Sequence, residues 1–141
     1  MAQSSVPPQP KQPRVLVAED DPALRRLLEL RLKMDGFDVF TAEDGQEALE
    51  LLEGGAALPD IVVCDIMMPR ISGLNVCRQL RATASTRSLP VILLSAHNLD
   101  PGIEEVLTLG NIAFMNKPFN ASDLRSRIME SLTLRAAATV E

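Results

Sequence analysis

The sequence predicts an α/β fold: a doubly wound, five-stranded parallel sheet with helices on both faces. Strand-like and helix-like segments alternate five times along the 141 residues, which is typical of a parallel sheet with right-handed crossovers. Two strand-like runs, IVVCD and PVILLS, are continuously apolar until their last residues, Asp65 and Ser95. Such runs indicate strands that are covered on both faces. Ligands of open α/β sheets bind at the carboxyl ends of their strands.

Local patterns predict the individual elements. Asp21 is suited to cap the first helix and Pro22 to begin it, and Asp35-Gly36 ends it. Residues 37–41 alternate in polarity, which indicates a half-exposed or edge strand. The other expected strands are 14–18, 61–65, 90–95 and 112–116. The other expected helices are 44–53, one that follows the loop ending at Gly73 and stops before residue 83, one that follows the turn ending at Gly102 and runs through Leu109, and one that Asn120 or Ser122 caps.

Apolar residues at helical spacing predict the buried face of most helices. The expected inward positions are Leu24, Leu27, Leu28 and Leu32 in the first helix, Ala48, Leu51 and Leu52 in the second, Val76, Cys77 and Leu80 in the third, and Leu124, Ile128 and Leu132 in the last.

Composition excludes several function classes. The chain has net charge −5 and contains four Phe but no Trp or Tyr. We therefore expect neither direct nucleic-acid binding nor membrane association, because a basic surface and aromatic stacking platforms are both missing. Two cysteines, Cys64 and Cys77, are too few for a disulfide framework, and we interpret them as core residues in a reducing cytoplasm.

The chain reads as one domain with two tails. Residues 1–13 hold four prolines among polar residues, which predicts a disordered Pro-rich tail. Residues 14–134 carry the alternating elements and form the folded domain, and residues 135–141 are expected to be a frayed end.

Polar residues collect at the predicted carboxyl ends of the buried strands. The first strand is followed by Glu19 and Asp20, the third ends in Asp65, the fourth in Ser95, and the fifth precedes Lys117. Each residue alone could be an ordinary cap, turn or surface residue. Their joint position at one edge of the sheet favours a chemical site instead.

Three carboxylates in one crevice repel each other, so either a proton stays bound or a cation enters. Hard oxygen ligands favour Mg²⁺ or Ca²⁺, and a small cluster that leaves room for water and phosphate favours Mg²⁺. A carboxylate nucleophile, a divalent cation, a Lys and a hydroxyl are together the parts that accept a phosphoryl group.

At this point the chain resembles a response-regulator receiver domain of bacterial two-component signalling. The resemblance covers residues 14–134 and rests on the motifs VLVAEDD, DIVVCDIMMP, VILLSA and FMNKPF. It implies strand order 2-1-3-4-5 in a flavodoxin-like three-layer sandwich with five helices. It also implies a cytoplasmic phosphorylation-controlled module that is not a turnover enzyme.

The resemblance implies a role for each matching residue. Asp65 would accept phosphate from the phosphohistidine of a sensor kinase or phosphotransfer protein. Mg²⁺ would be bound by Asp20, Asp65 and the backbone carbonyl of Met67, and by Glu19 through water. The phosphoryl group would contact Ser95 and Lys117.

Further expectations concern the switch and its surroundings. Phe114 would turn inward as Ser95 moves towards the phosphate. The Lys117–Pro118 bond is expected to be cis, and Gly73 matches the glycine before the third helix. The receiver would act on a downstream protein or an output domain missing from this chain, through the face made by its fourth helix, fifth strand and fifth helix, and that face could form a homodimer.

Two departures from the family pattern matter. Residues 112 and 113 are often acidic in winged-helix relatives, but here they are Ile112 and Ala113. Our hypothesis is that they form an apolar docking patch with Val106, and the alternative is a surface of no consequence. Met67 and His97 occupy positions that often tune the lifetime of the aspartyl phosphate. Met67 cannot orient water, so we expect a long-lived phosphorylated state.

Two other functions use similar residues or the same fold. A haloacid-dehalogenase-type phosphatase also uses a strand-end Asp, but it needs a second acid where Met67 stands. A degenerate receiver that binds partners without phosphorylation is the remaining alternative.

Overall fold

The computed structural model describes residues 12–53, 58–96 and 102–140, the last five of these by their backbone alone. Five parallel strands form one sheet in the order β2-β1-β3-β4-β5, so the predicted fold class and strand order are confirmed. The elements are β1 (Arg14–Ala18), α1 (Pro22–Met34), β2 (Asp38–Ala42), α2 (Gly45–Glu53), β3 (Ile61–Asp65), α3 (Gly73–Ala82), a 3₁₀ turn (Ala84–Thr86), β4 (Val91–Ser95), α4 (Gly102–Leu107), β5 (Ile112–Asn116) and α5 (Ala121–Val140).

Alternation along the central strands divides the core into two layers. Leu16, Val62 and Leu93 face α2, α3 and α4. Their neighbours Val17 and Val63 face α1 and α5. Each central strand is therefore covered on both faces, as its continuous apolar run predicts. The sheet between two helical layers is the expected three-layer sandwich.

Two residues expected to point inward are exposed instead. Leu27 is 62% exposed and Leu51 is 39% exposed. In both helices the next residue, Leu28 or Leu52, is buried, and consecutive helical residues point about 100° apart. In these two pairs, the second leucine faces the sheet and the first is turned towards solvent.

Several boundaries differ from the expected ones. The second strand is shifted by one residue to Asp38–Ala42, and α4 ends at Leu107 rather than at residue 109. The turn after α4 uses left-handed backbone at Gly110 and Asn111, with φ of 91° and 58°. The backbone of α5 continues to Val140, beyond the boundary expected at residue 134.

The amino ends of β4 and β5 are tied together by one side chain that sequence patterns do not single out. The guanidinium of Arg81 donates hydrogen bonds of 2.7–3.2 Å to four backbone carbonyls. These carbonyls belong to Thr86 and Leu89 before β4 and to Gly110 and Asn111 before β5. Arg81 thus joins β4, which carries Ser95, to β5, which carries Phe114. The contact lies at the amino ends of these strands, opposite the edge of the sheet where Ser95 lies.

The register aligns the carboxyl ends of the strands. Ala18 lies beside Ala42 and Cys64, Asp65 beside Leu94, and Ser95 beside Asn116. The polar residues that end or follow these strands therefore meet at one edge of the sheet.

Candidate phosphoryl-acceptor site

The site is centred on Asp65, the last residue of β3. Its carboxylate is buried and accepts a hydrogen bond of 2.7 Å at Oδ2 from Nζ of Lys117, which follows β5. The same ammonium donates to Oε1 of Glu19, which follows β1, at 3.2 Å. Residues 98 positions apart in the sequence are thereby joined, as the convergence of strand ends predicts.

An acidic cluster surrounds this ion pair. Glu19, Asp20 and Asp65 each offer a carboxylate oxygen, and these atoms lie within 4.8 Å of one another. Asp20 is exposed, while Glu19 and Asp65 are buried. The donor set consists of hard oxygens and has one side open to solvent, which fits a cation that keeps part of its water shell, such as Mg²⁺.

The electrostatics of the cluster favour a bound positive charge. Burial, together with the nearby carboxylate of Asp65, raises the pKa of Glu19 from 4.5 to about 7, although hydrogen bonding from Asp21 and the charge of Lys117 oppose the shift. Burial would lower the pKa of Lys117, but its bonds to Asp65 and Glu19 outweigh burial and raise it. Without a cation, the site holds one ammonium among acids that resist joint ionisation.

The local sequence after β1 holds Glu19 in place. The Glu19 amide donates to the carbonyl of Ala42 at 3.1 Å, and the Arg25 guanidinium donates to the Glu19 carbonyl at 2.8 Å. The carboxylate accepts from the Asp21 amide at 3.1 Å. As predicted, Asp21 caps α1, accepting from the Ala23 amide at 3.0 Å. A single turn therefore begins the helix and fixes the acid.

The connection after β3 is tightly packed. The Met67 amide donates to Oδ1 of Asp65 at 3.1 Å, and the Gly73 amide donates to the Ile66 carbonyl at 2.9 Å. A Cβ on Gly73 would collide with the carbonyl oxygen of Asp65. This close approach gives the expected glycine at position 73 a physical reason. Met67 is 66% exposed.

The remaining predicted site residues lie on β4 and β5. Ser95 is buried, and its backbone carbonyl accepts from the Lys117 amide at 2.7 Å. Phe114 is half-buried against the core layer of α2, α3 and α4 and pairs with Leu93, two residues before Ser95. The Lys117–Pro118 peptide is cis, as expected.

Some expectations are corrected or lie outside the described residues. Val106 is fully buried, so it cannot contribute to an apolar docking patch with Ile112 and Ala113, both of which are half-buried. It faces the core because Ile103 and Val106 lie on the side of α4 that packs against the sheet. His97 lies outside the described residues.

Two further features bear on the site. Arg70 in the loop after β3 forms an ion pair of 3.2 Å with Asp44, the residue before α2. Sequence reasoning missed this pair because no spacing rule connects the two loops. Cys64 and Cys77 are buried as expected, and burial raises the pKa of both thiols, that of Cys77 to about 12.

Comparison with known proteins agrees with this geometry. Residues 15–129 match the family model of the response regulator receiver domain. The response regulator MprA of Mycolicibacterium vanbaalenii is 41% identical over 115 residues, which are 82% of this chain and 48% of that protein. The chain therefore spans about half the length of the curated relatives it matches.

Solved structures extend the comparison. The receiver domain of the Francisella response regulator 1452 is 31% identical, with a TM-score of 0.77 over 88% of this chain and 99% of that one. A CheY-like receiver domain protein from Methanospirillum hungatei, at 22% identity and a TM-score of 0.83, shares the fold over 91% of this chain and 99% of that one.

Within the part of the chain that the structure describes, no helix is both long and apolar enough to cross a membrane. The strand order, the acids and lysine at the strand ends and the match over residues 15–129 lead to one assignment: the chain belongs to the response regulator receiver domain family of two-component systems.

Proposed function

We propose that Asp65 accepts a phosphoryl group from the phosphohistidine of a sensor histidine kinase or phosphotransfer protein. One observation carries the proposal. The buried Asp65 carboxylate lies 2.7 Å from the Lys117 ammonium and within 4.8 Å of two further acids. A nucleophile, a point charge for a phosphoryl oxygen and a set of metal ligands are thereby assembled in one place.

The transfer follows from these groups. A carboxylate oxygen of Asp65 bonds to phosphorus, the bond from phosphorus to the donor's imidazole nitrogen breaks, and its electron pair stays on that nitrogen. Lys117, which now pairs with Asp65 and Glu19, is positioned to pair with a phosphoryl oxygen. The Met67 amide, on Oδ1 of Asp65, holds the nucleophile in orientation.

The acidic cluster fits Mg²⁺, which when bound would neutralise the acids and the arriving phosphoryl oxygens. Asp20, Asp65 and the Met67 carbonyl would be direct ligands, and Glu19 would act through water. Proton release from Glu19 accompanies metal binding because its pKa is raised to about 7.

Phosphorylation would reach the surface through Ser95 and Phe114. The two residues lie on paired strands, and Phe114 borders a groove of about 550 Å³ between β5 and α5. Movement of the Ser95 hydroxyl towards the phosphoryl group would let Phe114 turn inward and reshape this groove. A downstream protein, an output domain or a second copy of the chain would read the α4-β5-α5 face.

The test is phosphoryl transfer from a small donor such as acetyl phosphate. We expect Mg²⁺-dependent labelling of the wild type and none of Asp65→Asn. Asp60→Asn is the matched control, because Asp60 precedes β3 at its other end, where its carboxylate accepts from the Arg14 amide and its main chain binds Arg14 and the Arg135 guanidinium; it should be labelled like the wild type. Partner binding that Asp65→Asn and chelation leave unchanged would support the phosphorylation-independent alternative instead.

A further inference from the structure

We infer that Met67 is a site of reversible oxidation that sets the lifetime of the aspartyl phosphate. Conversion of its thioether to the sulfoxide by a peroxide would shorten that lifetime. The inference rests on the phosphoacceptor role proposed for Asp65, and it adds a chemical input to the same site.

Access separates Met67 from most other methionines of the described chain. Met67 is 66% exposed, whereas Met115 is buried and Met68, the next residue, packs against the core. Met34 at the end of α1 is 82% exposed and Met129 on α5 is 43% exposed, but both lie on helices and make no described contact with the acidic cluster. Among the described methionines, Met67 alone combines exposure with a bond to Asp65.

The main chain holds Met67 beside the acceptor. Its amide donates to Oδ1 of Asp65 at 3.1 Å, and the tight contact of Gly73 with the Asp65 carbonyl restricts the connection from the other side. The exposed Met67 side chain therefore branches from the residue whose amide binds the carboxylate that would carry the phosphoryl group.

A peroxide is the only co-reactant that the oxidation of Met67 needs. The O–O bond of a hydroperoxide breaks, one oxygen bonds to the Met67 sulfur, which loses two electrons, and the other leaves as water or an alcohol. The thiols do not compete well, because Cys64 and Cys77 are buried and their raised pKa values keep thiolate scarce. A methionine sulfoxide reductase with a thiol reductant reverses the change.

The consequence follows from hydrogen bonding. Hydrolysis of an acyl phosphate requires a water molecule that is oriented towards phosphorus, and a thioether is a weak acceptor that does not orient water. A sulfoxide oxygen is polar and accepts hydrogen bonds. Oxidation should therefore shorten the half-life by about tenfold, less than the ~10²–10⁴ that a fully positioned proton acceptor contributes.

The experiment compares half-lives with and without peroxide within each variant. Protein is treated with hydrogen peroxide and quenched, and the oxidised residues are mapped in one portion by peptide mass spectrometry. The rest is phosphorylated with acetyl phosphate and Mg²⁺ and desalted. Loss of the phosphoryl group is then followed by phosphate-affinity electrophoresis. Met67→Leu cannot be oxidised at this position. Met34→Leu is the matched control, because it removes a more exposed methionine on a helix away from the site.

We expect Met67 to be oxidised before Met68. Peroxide should shorten the half-life of the aspartyl phosphate in the wild type and in Met34→Leu, and the reductase should restore it. Met67→Leu should show no peroxide effect, and Met67→Gln, with a permanent amide oxygen, should have a short half-life without peroxide. An unchanged half-life after Met67 is oxidised, or an equal peroxide effect in Met67→Leu, would overturn the inference and leave the proposed function standing. Failure of Asp65 to take phosphate would overturn both.

Discussion

Glu19 should make the stability of the metal-free protein fall as pH rises. Its pKa is raised from 4.5 to about 7 in the folded state, so the folded protein binds more protons than the unfolded chain between these values. The contribution is full below the unfolded pKa and is lost as pH rises through the folded pKa. Between about pH 5.5 and pH 7, at ~1.36 kcal/mol per pH unit, the loss is about 2 kcal/mol.

Urea unfolding in chelator measures this loss. The free energy of unfolding of the wild type is compared with that of Glu19→Gln at about pH 5.5 and about pH 8, so that the contributions of other titrating groups cancel in the difference. We expect the wild type to lose about 2 kcal/mol more than the variant over this range. Mg²⁺ should stabilise the wild type more at the higher pH, because protons compete with the metal for Glu19.

Parallel pH profiles for the wild type and Glu19→Gln would refute this reasoning. They would mean that Glu19 is ionised in the folded protein, held so by Lys117, and that burial does not govern its charge.

Three further predictions concern residues around Asp65. Lys117→Met should lower the free energy of unfolding at neutral pH by about 2 kcal/mol. This is less than the ~3–5 kcal/mol lost when a fully buried pair is broken, because Lys117 remains 23% exposed. Mg²⁺ should restore part of the stability, and an unchanged urea unfolding curve would contradict the pairing. Gly73→Ala should cost about 1–3 kcal/mol and slow phosphorylation, since its Cβ meets the Asp65 carbonyl; a variant as stable as the wild type would show that the connection yields. Unoxidised protein with Mg²⁺ should keep its phosphoryl group for many minutes, because the Met67 thioether does not orient water; a half-life of seconds would count against this.

The strands were predictable because their signals are local. Continuous apolar runs mark β3 and β4 as central, and alternation marks β2 as an edge strand. The strand order came from the family resemblance, since periodicity alone does not say which strands are neighbours.

The helix faces were less predictable where two leucines are adjacent. Leu27 and Leu28, or Leu51 and Leu52, satisfy the same apolar pattern, and only the packing against the sheet decides which one is buried. The prediction that Val106 lies on the surface was wrong for a related reason. The patch hypothesis grouped it with Ile112 and Ala113, whereas Val106 lies on the side of α4 that faces the core.

The site residues could be named from the sequence, but their mutual contacts could not. Convergence of strand ends brings Lys117 to Asp65, yet the second bond to Glu19 and the resulting pKa of that acid depend on burial at the site. Arg81 escaped notice altogether, because a guanidinium bound to four main-chain carbonyls leaves no charge partner or motif in the sequence.

The identity of the phosphoacceptor is tested most directly by chemical mapping of the phosphorylated residue. Borohydride reduces an aspartyl phosphate to homoserine, which peptide mass spectrometry locates in the chain. After Mg²⁺-dependent phosphorylation, homoserine should stand at position 65 and be absent when Asp65→Asn is treated in the same way. Homoserine at Asp20 or Asp60, or phosphate incorporated without any homoserine, would contradict the assignment of Asp65.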